Sequence, residues 1–238
     1  MRGGAVFPVR LRYAKCGKVR FLGHRDVARV LERAFRVAQL PLAFTEGFSP
    51  RPKVSFGLAL PIGYESVAEY LDVQLTGAVD LDVLPASLTA ALPDGLAVTG
   101  AGALADRAPA LQEAVTSVVW SVGVRGADGE PLDQPALSDL VAGALASATL
   151  PTVRRRKGRE EVEDVRPVIR SIDVDGTTLT MELNTRPRSA KPSEVLAAIG
   201  RVREVRVLRT HQWMERNGAR MDPLDADTRP RAPEARAS

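Results

Sequence analysis

Two arginine-bearing segments hold the residues of this 238-residue chain whose types and spacing could do chemistry. The first runs Phe21-Leu22-Gly23-His24-Arg25-Asp26 and continues through Arg29, Arg33 and Arg36. Arginines recurring about one helical turn apart form a ladder of planar cations suited to phosphate oxygens, and Glu32 among them offers local ion pairing as the plainer reading. The second is Gly47-Phe48-Ser49-Pro50-Arg51-Pro52-Lys53, where two prolines fix the backbone and hold Arg51 and Lys53 in a stiff geometry at low ordering cost. His24, just ahead of the helix, has two readings: a general base or phosphate-contacting cation, or a side chain hydrogen-bonded at the helix start.

Further cations stand at Arg10 and Arg12, on the basic face of a strand, and at Arg154, Arg155 and Arg156. The latter are expected in a loop flanked by Glu160, Glu161, Glu163 and Asp164, self-paired by default and able to reach RNA. From Arg10 to Arg36 nine Lys or Arg face only Asp26 and Glu32, so the N-terminal segment is a basic block. Its arginine bias fits phosphate recognition and also a GC-rich genome. Glu65, Glu69 and Asp72 are expected to pair with cations, since residues three apart on a strand point to opposite faces and chelate poorly. One cysteine, Cys16, and two histidines, His24 and His211, leave no zinc or iron–sulfur set, and there is no Gly-rich phosphate loop or serine elbow. The chain is therefore expected to hold no metal and no cofactor.

These residues need elements to position them. Val9, Leu11 and Tyr13 alternate as a strand, and Val27, Val30, Leu31, Ala34 and Ala38 recur at helical spacing. Strand pieces within 42–60 surround the proline loop, followed by a strand over 68–75, a helix over 82–92 and a strand at 96–99. The same order returns with a strand over 118–124, a helix through Leu137, Val141 and Leu145, a hairpin across Asp175-Gly176, a helix ending at Gly200 and a closing strand over 202–208. The expected fold is α+β, two tandem ferredoxin-like β-α-β-β-α-β units over 1–104 and 111–216, joined by a linker within 100–110. The polar, Pro- and Ala-rich stretch 217–238 is expected to be disordered.

The His24 and Pro50 motifs, with the Pro61-Ile62-Gly63 turn and Glu69-Tyr70-Leu71-Asp72, resemble an uncharacterised bacterial domain family linked to radical S-adenosylmethionine proteins. The resemblance extends more faintly to 206–213. It implies a radical S-adenosylmethionine enzyme as partner and a separate-chain version of the domain. With a single cysteine the chain cannot hold that enzyme's cluster itself. Where the resemblance leads one to expect Asn-Pro-His-Pro, this chain has Ser49-Pro50-Arg51-Pro52, which weakens any use of a loop histidine in catalysis or metal binding.

Three functions are compatible with these residues. The leading one is an accessory RNA-binding module that presents a structured RNA, tRNA or rRNA, to a radical S-adenosylmethionine modification enzyme; its RNA contacts would be Arg10, Arg12, Arg25, Arg29, Arg33, Arg36, Arg51, Lys53, Arg154, Arg155 and Arg156. The aromatic stacking signature of RNA-recognition sheets is missing from the sequence pattern. The second is a protein-interaction subunit docking on that enzyme or its peptide substrate. The third is a metal-independent endoribonuclease with His24 as base and Arg51 at the phosphate. No apolar run approaches the roughly 20 residues of a membrane helix, and the start lacks a secretory pattern, so a soluble cytoplasmic protein without membrane partners is expected.

Overall fold

The structure, a computed structural model, describes residues 6–105, 108–156 and 158–228. In chain order its elements are β1 (Phe7–Lys15), a 3-10 turn (Gly17–Phe21), α1 (His24–Val37), β2 (Val54–Phe56), β3 (Glu65–Leu75), α2 (Leu84–Ala90), β4 (Leu96–Ala103) and α3 (Leu111–Ala114). There follow β5 (Val115–Gly126), α4 (Gln134–Ala146), β6 (Pro151–Arg156), β7 (Arg159–Asp164), β8 (Ile169–Asp175), β9 (Thr178–Asn184), α5 (Pro192–Ile199), β10 (Val202–Arg216), β11 (Ala219–Met221) and α6 (Pro223–Asp227). They form two units in a mixed α+β fold. Unit 1 gathers Met1–Ala59, Glu69–Ala114 and Met221–Ser238; unit 2 gathers Leu60–Ala68 and Val115–Arg220.

In unit 1 the strand order is β4-β1-β3, with β2 antiparallel to β3. The apolar stripe of α1, namely Val27, Leu31, Ala34 and Phe35, is buried against Val9, Leu11 and Tyr13 of β1 and Leu71, Val73 and Leu75 of β3. Each of the larger of these side chains removed from water contributes about 1.5–3 kcal/mol, which is what holds the opposite, arginine-bearing side of α1 outward. Gly95 packs beneath the turn that leads into α1. Its φ of +93° favours glycine, and a Cβ there would stand 2.3 Å from the Cys16 carbonyl oxygen.

In unit 2 the order is β10-β5-β9-β8, all antiparallel pairs, and the start of β3 pairs in parallel with β10 at Leu208↔Glu65. Asp133 caps α4 by accepting from the Ala136 amide at 2.8 Å. The β8–β9 hairpin turns at Gly176, with φ +57°.

Three expectations are revised. Residues 154–159 are not a loop: β6 and β7 pair with Arg154↔Glu161 and Arg155↔Glu160 in register, cations of one strand opposite acids of the other. The closing strand does not stop at Leu208 but runs to Arg216. Within the stretch expected to be disordered, β11 and α6 form. Asp222 caps α6 through the Leu224 amide at 2.9 Å and accepts from the Tyr70 hydroxyl at 2.7 Å, so a few polar bonds substitute for the missing apolar matter. Residues 229–238 lie outside the described residues. Among the described residues no helix is long and apolar enough to cross a membrane.

Candidate nucleic-acid interface

On its outward side α1 presents Arg25, Arg29, Glu32 and Arg36, one turn apart or nearly so, and these face the segment Pro50-Arg51-Pro52 across a cleft of about 540 Å³. Burial of the apolar stripe orients the helix; backbone pairing fixes the loop. Thr45 donates its amide to the Arg51 carbonyl at 2.9 Å, and the Arg51 amide donates to Thr45 Oγ1 at 3.0 Å. Phe44 bridges to Pro52, and the Lys53 amide donates to the Ala43 carbonyl at 2.8 Å. Leu42 and Phe44 supply an apolar patch in the cleft, with Phe44 50% exposed.

The electrostatics are one-sided. Four arginines line the cleft against one carboxylate, Glu32. Arg29 reaches Asp26 at 3.4 Å in an exposed pair, an arrangement that binds weakly and yields readily to a better anion. The side chains of Arg25, Arg36 and Arg51 have no hydrogen-bonding or ion-pair partner among the described residues. A rigid loop and a packed helix thus hold like charges together, which favours a ligand carrying several negative charges.

The other expected contact residues go elsewhere. Arg33 is exposed but does not line the cleft, because two four-residue steps from Arg25 accumulate about 80° of drift around the helix. Lys53 lies beside a different depression with Ser55 and Asp72. Arg10 is buried, gripping Asp72 and donating to the Pro223 carbonyl at 3.1 Å, so it is a structural ion pair rather than part of the cationic surface. Arg12 is half-buried, 3.9 Å from Asp222. Arg154 meets Glu163 at 3.5 Å, and the side chains of Arg155 and Arg156 lie outside the described residues.

His24 does not line the cleft; its ring stands edge-on to Phe56 at 4.9 Å, while His211 belongs to unit 2. Among the described residues no group of three or more His, Cys, Asp or Glu gathers where it could hold a metal. Two participants escaped the sequence pattern. Phe44 becomes part of the cleft only through the Pro52 bridge. Lys15 is buried and donates to the carbonyls of Arg20 and Leu22 at 3.2 and 2.8 Å, clamping the turn that leads into α1. Burial lowers its pKa below the usual lysine value, against the opposing charge of Glu69.

A family model described as an uncharacterized protein conserved in bacteria (DUF2344) matches residues 9–195. No curated protein matches the chain. Among solved structures, a chain in a crystal structure of a Cbf5-Nop10-Gar1 complex is similar at 8% identity and a TM-score of 0.46, over 86% of this chain and 48% of that one.

Proposed function

The chain belongs to the DUF2344 family of uncharacterized proteins conserved in bacteria, and from that premise we propose that it is an accessory RNA-binding module. Its cleft would hold the phosphate backbone of a structured RNA, tRNA or rRNA, while a separate radical S-adenosylmethionine enzyme performs the modification. The observation that carries the proposal is the convergence of Arg25, Arg29 and Arg36 on Arg51 across one open cleft, with three of these four side chains lacking a partner among the described residues. Guanidinium forks match phosphate oxygens two at a time, and a half-exposed Phe44 beside them suits a base or sugar. The enzyme partner rests on the sequence resemblance alone. Strand orders β4-β1-β3-β2 and β10-β5-β9-β8 support the reading of the units as tandem ferredoxin-like modules.

The endoribonuclease alternative asks His24 and Arg51 to share one site, and the cleft geometry gives it no support. The protein-docking alternative differs in salt dependence, because phosphate contacts release counterions. The test is the affinity of the full chain for transcribed tRNA and rRNA fragments across a salt series. A steep loss of affinity with salt, reduced in cleft variants, supports the module; salt-insensitive binding, or none at low salt, overturns it.

A further inference from the structure

Unit 2 carries its own surface with the two ingredients of single-strand recognition. Along β5 the buried Trp120, Val122 and Val124 alternate with half-buried Val119, Ser121 and Gly123 and exposed Arg125. The buried set, continued by Leu179 and Met181 of β9, forms the apolar face, and α4 and α5 contact β8 and β10 there. The strand register assigns β10 residues to the other face: Arg203 lies opposite Arg125, Arg206 opposite Gly123, His211 opposite Val119 and Trp213 opposite Ser117. Strict alternation would turn Arg206 away from the other three. A register shift between Glu204 and Arg206 brings it to their side, and a second between Arg209 and His211 keeps His211 and Trp213 there.

At one end of this face Arg125 and Arg203 are cross-strand neighbours, both exposed and without an acidic partner among the described residues. Like charges directly opposite destabilise a sheet unless an anion sits between them. Arg206, although tied to Glu65 at 2.6 Å, keeps a side chain 72% exposed beside them. At the other end the exposed His211 ring lies parallel to the Trp213 indole, 5.1 Å between centroids and 5° between planes. Arg220 holds that indole from 4.3 Å and is itself fixed to Glu182 at 2.9 Å, so the stack is oriented before any ligand arrives.

We propose that this face is a track for single-stranded RNA, with backbone phosphates at Arg125, Arg203 and Arg206 and a nucleobase stacked on His211 and Trp213. Cations at one end and an oriented aromatic pair at the other match the backbone and the bases of one strand. The proposal rests on the RNA reading of the arginine cleft, but it asks for bases where the cleft asks only for phosphates.

The probes are a short oligouridylate and an abasic ribose-phosphate chain of the same length, titrated into the full chain while tryptophan emission is followed. Trp120 is buried, so quenching reports Trp213. Oligouridylate should quench the emission and bind more tightly than the abasic chain, by roughly fivefold or more. His211→Ala should shrink that difference, and Arg125→Glu should reduce the salt slope by about one phosphate contact; both residues are exposed, and circular dichroism checks folding. Equal affinity for both chains with unchanged emission overturns the track, and the cleft reading survives that result if Arg29→Glu with Arg51→Glu still lowers affinity. If the cleft variant binds transcribed tRNA and rRNA fragments as wild type while base-dependent quenching persists, the cleft reading falls and the track stands. Failure of both probes to bind at low salt overturns the track, and the titration with tRNA and rRNA fragments then decides the cleft reading.

Discussion

The guanidinium of Arg10 grips both carboxylate oxygens of Asp72, Nε to Oδ1 at 2.7 Å and Nη2 to Oδ2 at 2.9 Å, on the side of unit 1 turned away from α1. Arg10 is wholly buried and its remaining edge reaches the Pro223 carbonyl, so the pair joins β1, β3 and the start of α6. The first prediction is that Arg10→Ala destabilises the protein by about 3–5 kcal/mol, because it strands Asp72 without its partner. Denaturant unfolding measures it. A loss below about 1 kcal/mol would contradict the structural role.

The second prediction concerns the cleft. Arg29→Glu with Arg51→Glu should lower RNA affinity at least tenfold at low salt and reduce the salt slope by about two phosphate contacts, with an unchanged melting temperature. Arg33→Glu, outside the lining, should change affinity much less. Equal effects of the two would mean that α1 binds by overall charge and not through the cleft.

The third prediction is that the purified chain cleaves no RNA and that His24→Asn leaves RNA affinity nearly intact, because His24 packs on Phe56 outside the cleft. RNA modification should appear only when a radical S-adenosylmethionine partner is added. Cleavage by the isolated chain that falls by a factor of roughly 10²–10⁴ in His24→Asn would instead establish a general base.

The fourth prediction is pH-dependent. Burial, then the bond to Asp222, pushes the Tyr70 phenol well above the ordinary tyrosine range; burial does the same to Tyr64, whose hydroxyl donates to Glu204. A raised folded pKa means that the stabilisation is complete below the unfolded value of about 10 and is lost as pH rises toward the folded one. Tyr70→Phe should cost about 1–2 kcal/mol near neutrality, and its gap from wild type should narrow above pH of about 10. A gap that widens with alkali would reverse the assigned direction.

Much of the scaffold was legible because its signals are periodic. Val27, Leu31 and Ala34 marked the buried stripe of α1, and Asp175-Gly176 marked the β8–β9 turn. The side chains were less so. Alternation along β1 placed Arg10 on a basic face, but parity tells which side a residue takes and not what covers it; Asp72 and α6 cover it. Helical spacing grouped Arg33 with Arg29, yet about 100° per residue brings Glu32 into the cleft in its place. The aromatic pair of β10 was not legible because the apolar strand signal stops at Leu208, short of His211 and Trp213.

Unit 1 is assembled from three stretches of chain, and its last described stretch, 221–228, follows the whole of Val115–Arg220. A ribosome delivers β1 early and Asp222 late, so Tyr70 and Arg10 must wait for their α6 partners until unit 2 has been synthesised. The second unit is therefore free to finish first during translation, and the first unit closes around a loop of more than a hundred residues. A lesion at Asp222 would then be felt in the earliest-made strand, far from it in sequence.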